Sequence, residues 1–239
     1  MTIVYNGPSM LDGSPIVAIV TIGSKNAKTG AMAQLWIMRS DMDPVTASRT
    51  GADEAVCGTC PHRGNPTGLD HGQASQRACY VVLAQAPLGI YKAFKRGSYP
   101  LARTVDAIAA VGAGRMVRVG AYGDGAALPA WITSALTRDA AGHTAYSHQA
   151  GRPGARFEPE RYMCSVESKQ AAEEAWSRGW RTFRIDADAA DLVACREIEC
   201  PAIRGVKCID CGLCGGSQVK AKSIAIVKHG TGAKYLETV

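Results

Sequence analysis

The sequence has no run of about 18 apolar residues, so no membrane-spanning helix is expected. Its opening, MTIVYNGPSMLDG, lacks a charged stretch followed by an apolar one, so no secretory signal is expected. There is no G-x4-G-K-[ST] loop to cradle phosphates. The glycines of VGAGRMVRVG precede an expected strand instead of following one, which argues against a dinucleotide fingerprint. A G-x-S-x-G nucleophile elbow and an H-x-E…P-C-x2-C deaminase pattern are also missing.

What is present is enough apolar material for a core and an excess of cysteine. The chain has 239 residues, 46% of them hydrophobic, which suits one large domain or a domain with a small appendage. Formal net charge is +6, with one basic cluster in YKAFKRGSYPLAR (Lys92, Lys95, Arg96, Arg103). That cluster reads first as a solvated helix face and second as a weak phosphate-binding patch. Nine cysteines without an export signal favour a reducing compartment, hence the cytoplasm, and metal ligation over disulfides.

Short apolar runs alternate with amphipathic segments. Strands are expected at 15–23, 33–39, 55–60, 78–82, 115–124, 143–149, 162–168, 180–186 and 223–230. Helices are expected at LGIYKAFKRG, TVDAIAAVGAG, 129–142 and 168–179, the last with Ser168 as N-cap. This alternation implies parallel strands and right-handed crossovers. The leading expectation is an α/β fold with a compact or partial (βα)6-type barrel over residues 1–195 and a cysteine-rich metal-binding segment plus a final strand over 196–239. An open doubly wound sheet is the alternative. Asp124, His148, Gln149, Ser165 and Glu167 fall at or near expected strand ends, the edge where parallel α/β folds build sites. Asp124, Glu167 and His148 are therefore the candidate catalytic groups.

The cysteines fall into two sets. Cys200, Cys208, Cys211 and Cys214 lie within fifteen residues as C-x7-C-x2-C-x2-C, four thiols for one centre. Zinc and a four-iron cluster suit four thiolates equally. Cys57, Cys60 and Cys79 form the other set, and three ligands leave a position open unless His62 or Cys164 closes it. Cys164 and Cys195 otherwise read as ordinary buried cysteines. Asp124 with Asp70 or Glu167 also fits an acid/nucleophile pair for base exchange, the chemistry of a transglycosylase.

A three-cysteine set after an early strand of a six-unit partial barrel resembles the radical S-adenosylmethionine superfamily. That resemblance implies a 4Fe-4S cluster on Cys57, Cys60 and Cys79, whose open iron takes the amino and carboxylate groups of S-adenosylmethionine. It also implies cofactor contacts from GAYGD, hence Gly120, Gly123 and Asp124, with Ser165 nearby. The usual superfamily signature is C-x3-C-x2-C, whereas this chain has C-x2-C-x18-C. From about Cys57 to Cys214 the chain also resembles cysteine-rich bacteriophage and mobile-element proteins with a CPHR…CYV segment and a CPA…C-x2-C-x2-C tail. That likeness implies a host-cytoplasmic location and little about activity. With the positive charge it suggests a nucleic-acid or nucleotide partner; the alternative is a zinc-stapled nucleic-acid-binding protein without catalysis.

Overall fold

The computed structural model describes residues 1–24, 26–68, 74–152, 157–186, 191–229 and 232–238. Among them the strands are β1 (Thr2–Pro8), β2 (Pro15–Thr21), β3 (Ala33–Arg39), β4 (Met116–Tyr122), β5 (Gly142–Ser147), β6 (Met163–Val166), β7 (Thr182–Asp186), β8 (Glu197–Glu199) and β9 (Ser223–Val227). The helices are α1 (Pro44–Thr50), α2 (Glu54–Cys57), α3 (Ala86–Lys95), α4 (Val105–Gly112), α5 (Ala130–Arg138), α6 (Lys169–Ser177) and α7 (Cys208–Cys211). No helix of the described residues is long and apolar enough to cross a membrane.

One sheet joins all the strands in the order β1-β2-β3-β4-β5-β6-β7-β9-β8. The first three pair antiparallel; every later pairing is parallel. From β3 to β7 each strand lies beside its predecessor in the chain, and β9 follows next. A doubly wound sheet reverses order near its middle; here the only reversal is at the far edge, where β8 lies outside β9. The sheet is open, because β8 and β1 are its edges and do not pair, so the expected barrel is not closed. The cysteine-rich tail belongs to the same sheet through β8 and β9.

Local chemistry explains most boundaries. Asp43 caps α1 through Val45 and Thr46, Pro44 opens it and Gly51 closes it in the left-handed region. Ser168 caps α6 by accepting from the Ala171 amide, as its position suggests. The helix expected at 129–142 stops earlier, at Arg138, and Gly142 begins β5. The AVCGTC run is α2 and a turn instead of a strand, and residues 78–82 are irregular. Runs this short carry no periodicity, so tertiary contacts decide them. β8, three residues long, escapes the sequence reading for the same reason, while the Asn6-Gly7-Pro8 end of β1 carries turn residues.

Register divides the sheet into two faces. Val117, Val119 and Ala145 join the main core with Ile132 and Leu136 of α5. Each of those helix side chains contributes about 1.5–3 kcal/mol by leaving water. Cys164 and Val166 pack under α6 on that side. Tyr146, Met163, Phe183, Ile198 and Ile224 line the opposite face, where Cys200, Leu213 and Cys214 cover them. A buried two-pronged ion pair, Arg184 with Glu197 at 2.8 and 2.7 Å, ties β7 to the start of β8.

Candidate metal centre

The first cysteine set hangs from the connection between β3 and β4. Cys57 ends α2, and Cys60 precedes a single 3-10 turn, Pro61–Arg63. Arg63 staples this loop: it binds Asp53 at 3.0 and 2.7 Å, the Gly58 carbonyl at 2.8 Å and the Gly51 carbonyl at 2.7 Å. Cys79 returns to the same place, its amide donating to the His62 carbonyl at 3.0 Å. Arg77 holds that return by donating to the carbonyls of Cys79 and Val81 at 2.9 and 2.8 Å. The CPHR and RACYV stretches thus carry their own supports.

Later strand ends close on this loop. His148 and Gln149 follow β5, and Glu167 follows β6. Gln149 is fully buried; its amide donates to the Cys57 carbonyl at 3.1 Å. Gly58 has φ +56°, and a Cβ there would lie 2.2 Å from the Gln149 Oε1, so only glycine fits. Glu167 Oε1 meets His62 Nε2 at 3.1 Å and His148 Nε2 at 2.7 Å. These three ligand atoms lie within 4.8 Å of one another, the one such group of three or more among the described residues.

Electrostatics couple the parts. Burial pushes the Cys57 thiol well above its usual range, and Asp53, Cys60 and Cys79 add to the shift. Burial likewise raises Cys79. Burial opposes charge on His148, but the adjacent Cys60 sulfur and Glu167 outweigh it and hold the imidazole well above its ordinary value. Burial would raise Glu167, yet the two histidines hold it down at about 2. The Tyr122 hydroxyl, beside Cys57 and Cys79, is buried and has no hydrogen-bond partner among the described residues. The same is true of His62 Nδ1.

Asp124 lies at the heart of this edge but faces inward. One carboxylate oxygen accepts from the Ala126 amide at 2.9 Å, capping the turn Gly125–Ala127. The other accepts from Ser147 Oγ and the His148 amide, both at 3.0 Å, with Gln149 Nε2 at 3.5 Å. Its own amide donates to the Val56 carbonyl at 2.6 Å. Asp124 therefore locks α2, β4 and β5 together and fixes the His148 backbone. Gly120 sits in a bulge of β4 at φ +77°, where a Cβ would meet the Gly123 carbonyl oxygen at 2.5 Å. At Gly123, φ +82°, a Cβ would lie 2.7 Å from the Ile37 carbonyl oxygen of β3, so the chain passes that strand only without one. The close approaches at both glycines are thus to the protein's own backbone. Ser165 is half-buried within β6. Asp70 lies outside the described residues.

The second set lies over the face that Tyr146, Met163 and Phe183 line. Cys200 precedes the turn Pro201–Arg204, Cys208 and Cys211 bound α7, and Cys214 is buried. The amides of Cys208 and Ile209 donate to the carbonyls of Lys28 and Thr29, seating α7 on the β2–β3 connection. Burial pushes Cys214 up to about 12, against a stabilising contact from the Tyr146 hydroxyl. Burial also raises Cys200 and Cys208, with the neighbouring thiols adding to both. Arg118 lies near Cys208 and Tyr146 and bonds the Tyr80 hydroxyl, next to Cys79 in the chain.

Cys164 is buried, as expected, and points to the α6 side, because alternation along β6 turns it away from the face that carries Met163. Cys195, expected to be buried, is exposed, at φ +64°. His62, weighed in the sequence only as a closing ligand, joins the His148 and Glu167 side chains. Tyr122, Gln149, Arg63 and Arg118 are supports that no spacing rule announces. Compared with known proteins, the chain matches no family model, no curated protein and no solved structure.

Proposed function

We propose that this chain is an iron–sulfur protein of the radical S-adenosylmethionine type or a relative of it, built on a partial barrel. One observation carries the reading: the first cysteine set joins β3 to β4, the first two of six parallel strands, β3, β4, β5, β6, β7 and β9, laid side by side in chain order. Its thiols share the edge where His148 and Glu167 follow β5 and β6. Within each set the thiols lie close enough to feel one another's charge.

The residues fit such a group. The thiols are soft ligands, buried at Cys57 and Cys79 and flanked by Arg63, Arg77 and His148, and the partnerless Tyr122 hydroxyl needs something beside Cys57 and Cys79 to face. Cys57, Cys60 and Cys79 would hold the first cluster, and Cys200, Cys208, Cys211 and Cys214 the second. When bound, a cluster supplies one-electron chemistry, and an iron without a thiolate binds a cofactor such as S-adenosylmethionine. The chain's own part is to hold the thiols with Arg63, Arg77 and Gln149 and to keep water from them.

A nucleotide or nucleic acid is the substrate class we favour. That preference rests on the net charge of +6; a cleft of about 400 Å³ lined by Trp176, Trp180, Arg196, Lys220 and Lys222 pairs indole surface with cations, but it opens at the starts of β7, β8 and β9, the strand ends away from the first cysteine set, so it would hold a nucleic acid outside the reacting centre. The test is spectroscopic. Adding S-adenosylmethionine to the reduced, iron-loaded protein should change its electron paramagnetic resonance signal and release 5′-deoxyadenosine. An unchanged spectrum with no cleavage leaves a structural centre and refutes the radical assignment.

A further inference from the structure

We infer that His62, His148 and Glu167 form a binding site for a divalent transition-metal ion, one that adjoins the first cysteine set through the contact of His148 with Cys60 but uses none of its sulfurs, and that does not depend on the iron–sulfur reading. The three side chains converge on one another. Both imidazole Nε2 atoms approach the same oxygen, Glu167 Oε1, at 3.1 and 2.7 Å. A carboxylate that only accepted two hydrogen bonds has a second oxygen to offer, and neither ring uses it. Two nitrogens and one oxygen lie within 4.8 Å of one another, so small side-chain shifts bring all three to the bond length of about 2.0–2.2 Å that one cation requires. Two imidazoles and one carboxylate suit zinc, ferrous iron, cobalt and manganese.

The three side chains come from separate elements, and each is held. His62 lies in the turn that Pro61 opens, its carbonyl bonded to the Cys79 amide. The His148 amide is fixed by Asp124 at 3.0 Å. Glu167 stands between β6 and the Ser168 cap of α6. Ligands held this way lose little freedom when they take an ion. The site is also reachable: side-chain exposure is 7% for His62, 17% for His148 and 26% for Glu167. An ion would therefore sit with His62 behind it and the carboxylate toward solvent. Three protein ligands leave positions for water or a substrate oxygen, the arrangement of a catalytic centre.

Cobalt(II), added to the cluster-loaded protein and to Glu167→Gln and His62→Gln variants, tests the site. The wild-type chain should bind one equivalent with a spectrum of nitrogen and oxygen ligation, lacking the thiolate-to-cobalt charge-transfer band. Each variant should bind more than about tenfold more weakly, since even lost outer contacts cost that much. Both should keep the cluster absorbance and the wild-type circular dichroism, which shows that they fold. If one variant fails to fold, the other decides. A thiolate band, no bound cobalt, or equal affinity in a folded variant overturns the inference. A protein that takes up no iron but binds cobalt as described refutes the iron–sulfur reading and leaves this one standing.

Discussion

Replacing Gly58 with alanine probes the support of the first cysteine set at its tightest point. The new Cβ would sit 2.2 Å from Gln149 Oε1 and 2.6 Å from its Nε2, so Gln149 must move. Moving it breaks the 3.1 Å bond to the Cys57 carbonyl, a buried acceptor worth about 1–3 kcal/mol when left alone. Holding a non-glycine residue at φ +56° adds about 1–3 kcal/mol of strain. The sum is about 4 kcal/mol. For a chain of this size that lowers the melting temperature by about 10 °C. Calorimetry on Gly58→Ala, Gln149→Ala and the double variant separates the two contributions. The double variant has no clash, so it should cost less than the sum of the singles by at least about 1 kcal/mol. Strict additivity, or a loss under about 2 °C in Gly58→Ala, would refute the claim that Gln149 clamps this loop.

Arg63→Met removes the cation from an almost fully buried Asp53 and should cost about 3–5 kcal/mol by urea titration, with iron loss from the first set. A stability change under about 1 kcal/mol would show that Arg63 is not the staple. Cys211→Ala should lower bound metal by one full centre and destabilise the fold, because metal binding at a structural site is coupled to folding; unchanged metal content refutes a shared centre in the tail. Asp124→Asn turns an amide NH2 toward donors or loses the Ala126 cap, and should cost about 2–4 kcal/mol, read as a lower melting temperature. A stable Asp124→Asn with weakened ligand binding would instead make Asp124 a ligand contact.

Much of the scaffold is legible in the sequence because it follows local rules. The runs at 33–39 and 115–124, the Ser168 cap and the strand-end positions of His148 and Glu167 all follow from periodicity and capping chemistry. The two cysteine sets are legible from spacing alone. Pairing of side chains across strands is not. His148 and Glu167 are 19 residues apart, and His62 is 105 residues from Glu167; only register brings them together. Asp124 reads from sequence as a ligand-facing carboxylate, yet its hydrogen bonds point inward. The close approaches at Gly58 and Gly123 depend on Gln149 and Ile37, remote residues that no local pattern names.

The central claim is that the cysteines hold iron–sulfur clusters, and metal analysis of protein prepared without oxygen tests it most directly. The account predicts a brown protein absorbing near about 400 nm, with about four irons and four acid-labile sulfides for each cysteine set. Cys57→Ser should lose the iron of the first set alone. A colourless protein carrying zinc and no sulfide would contradict the account.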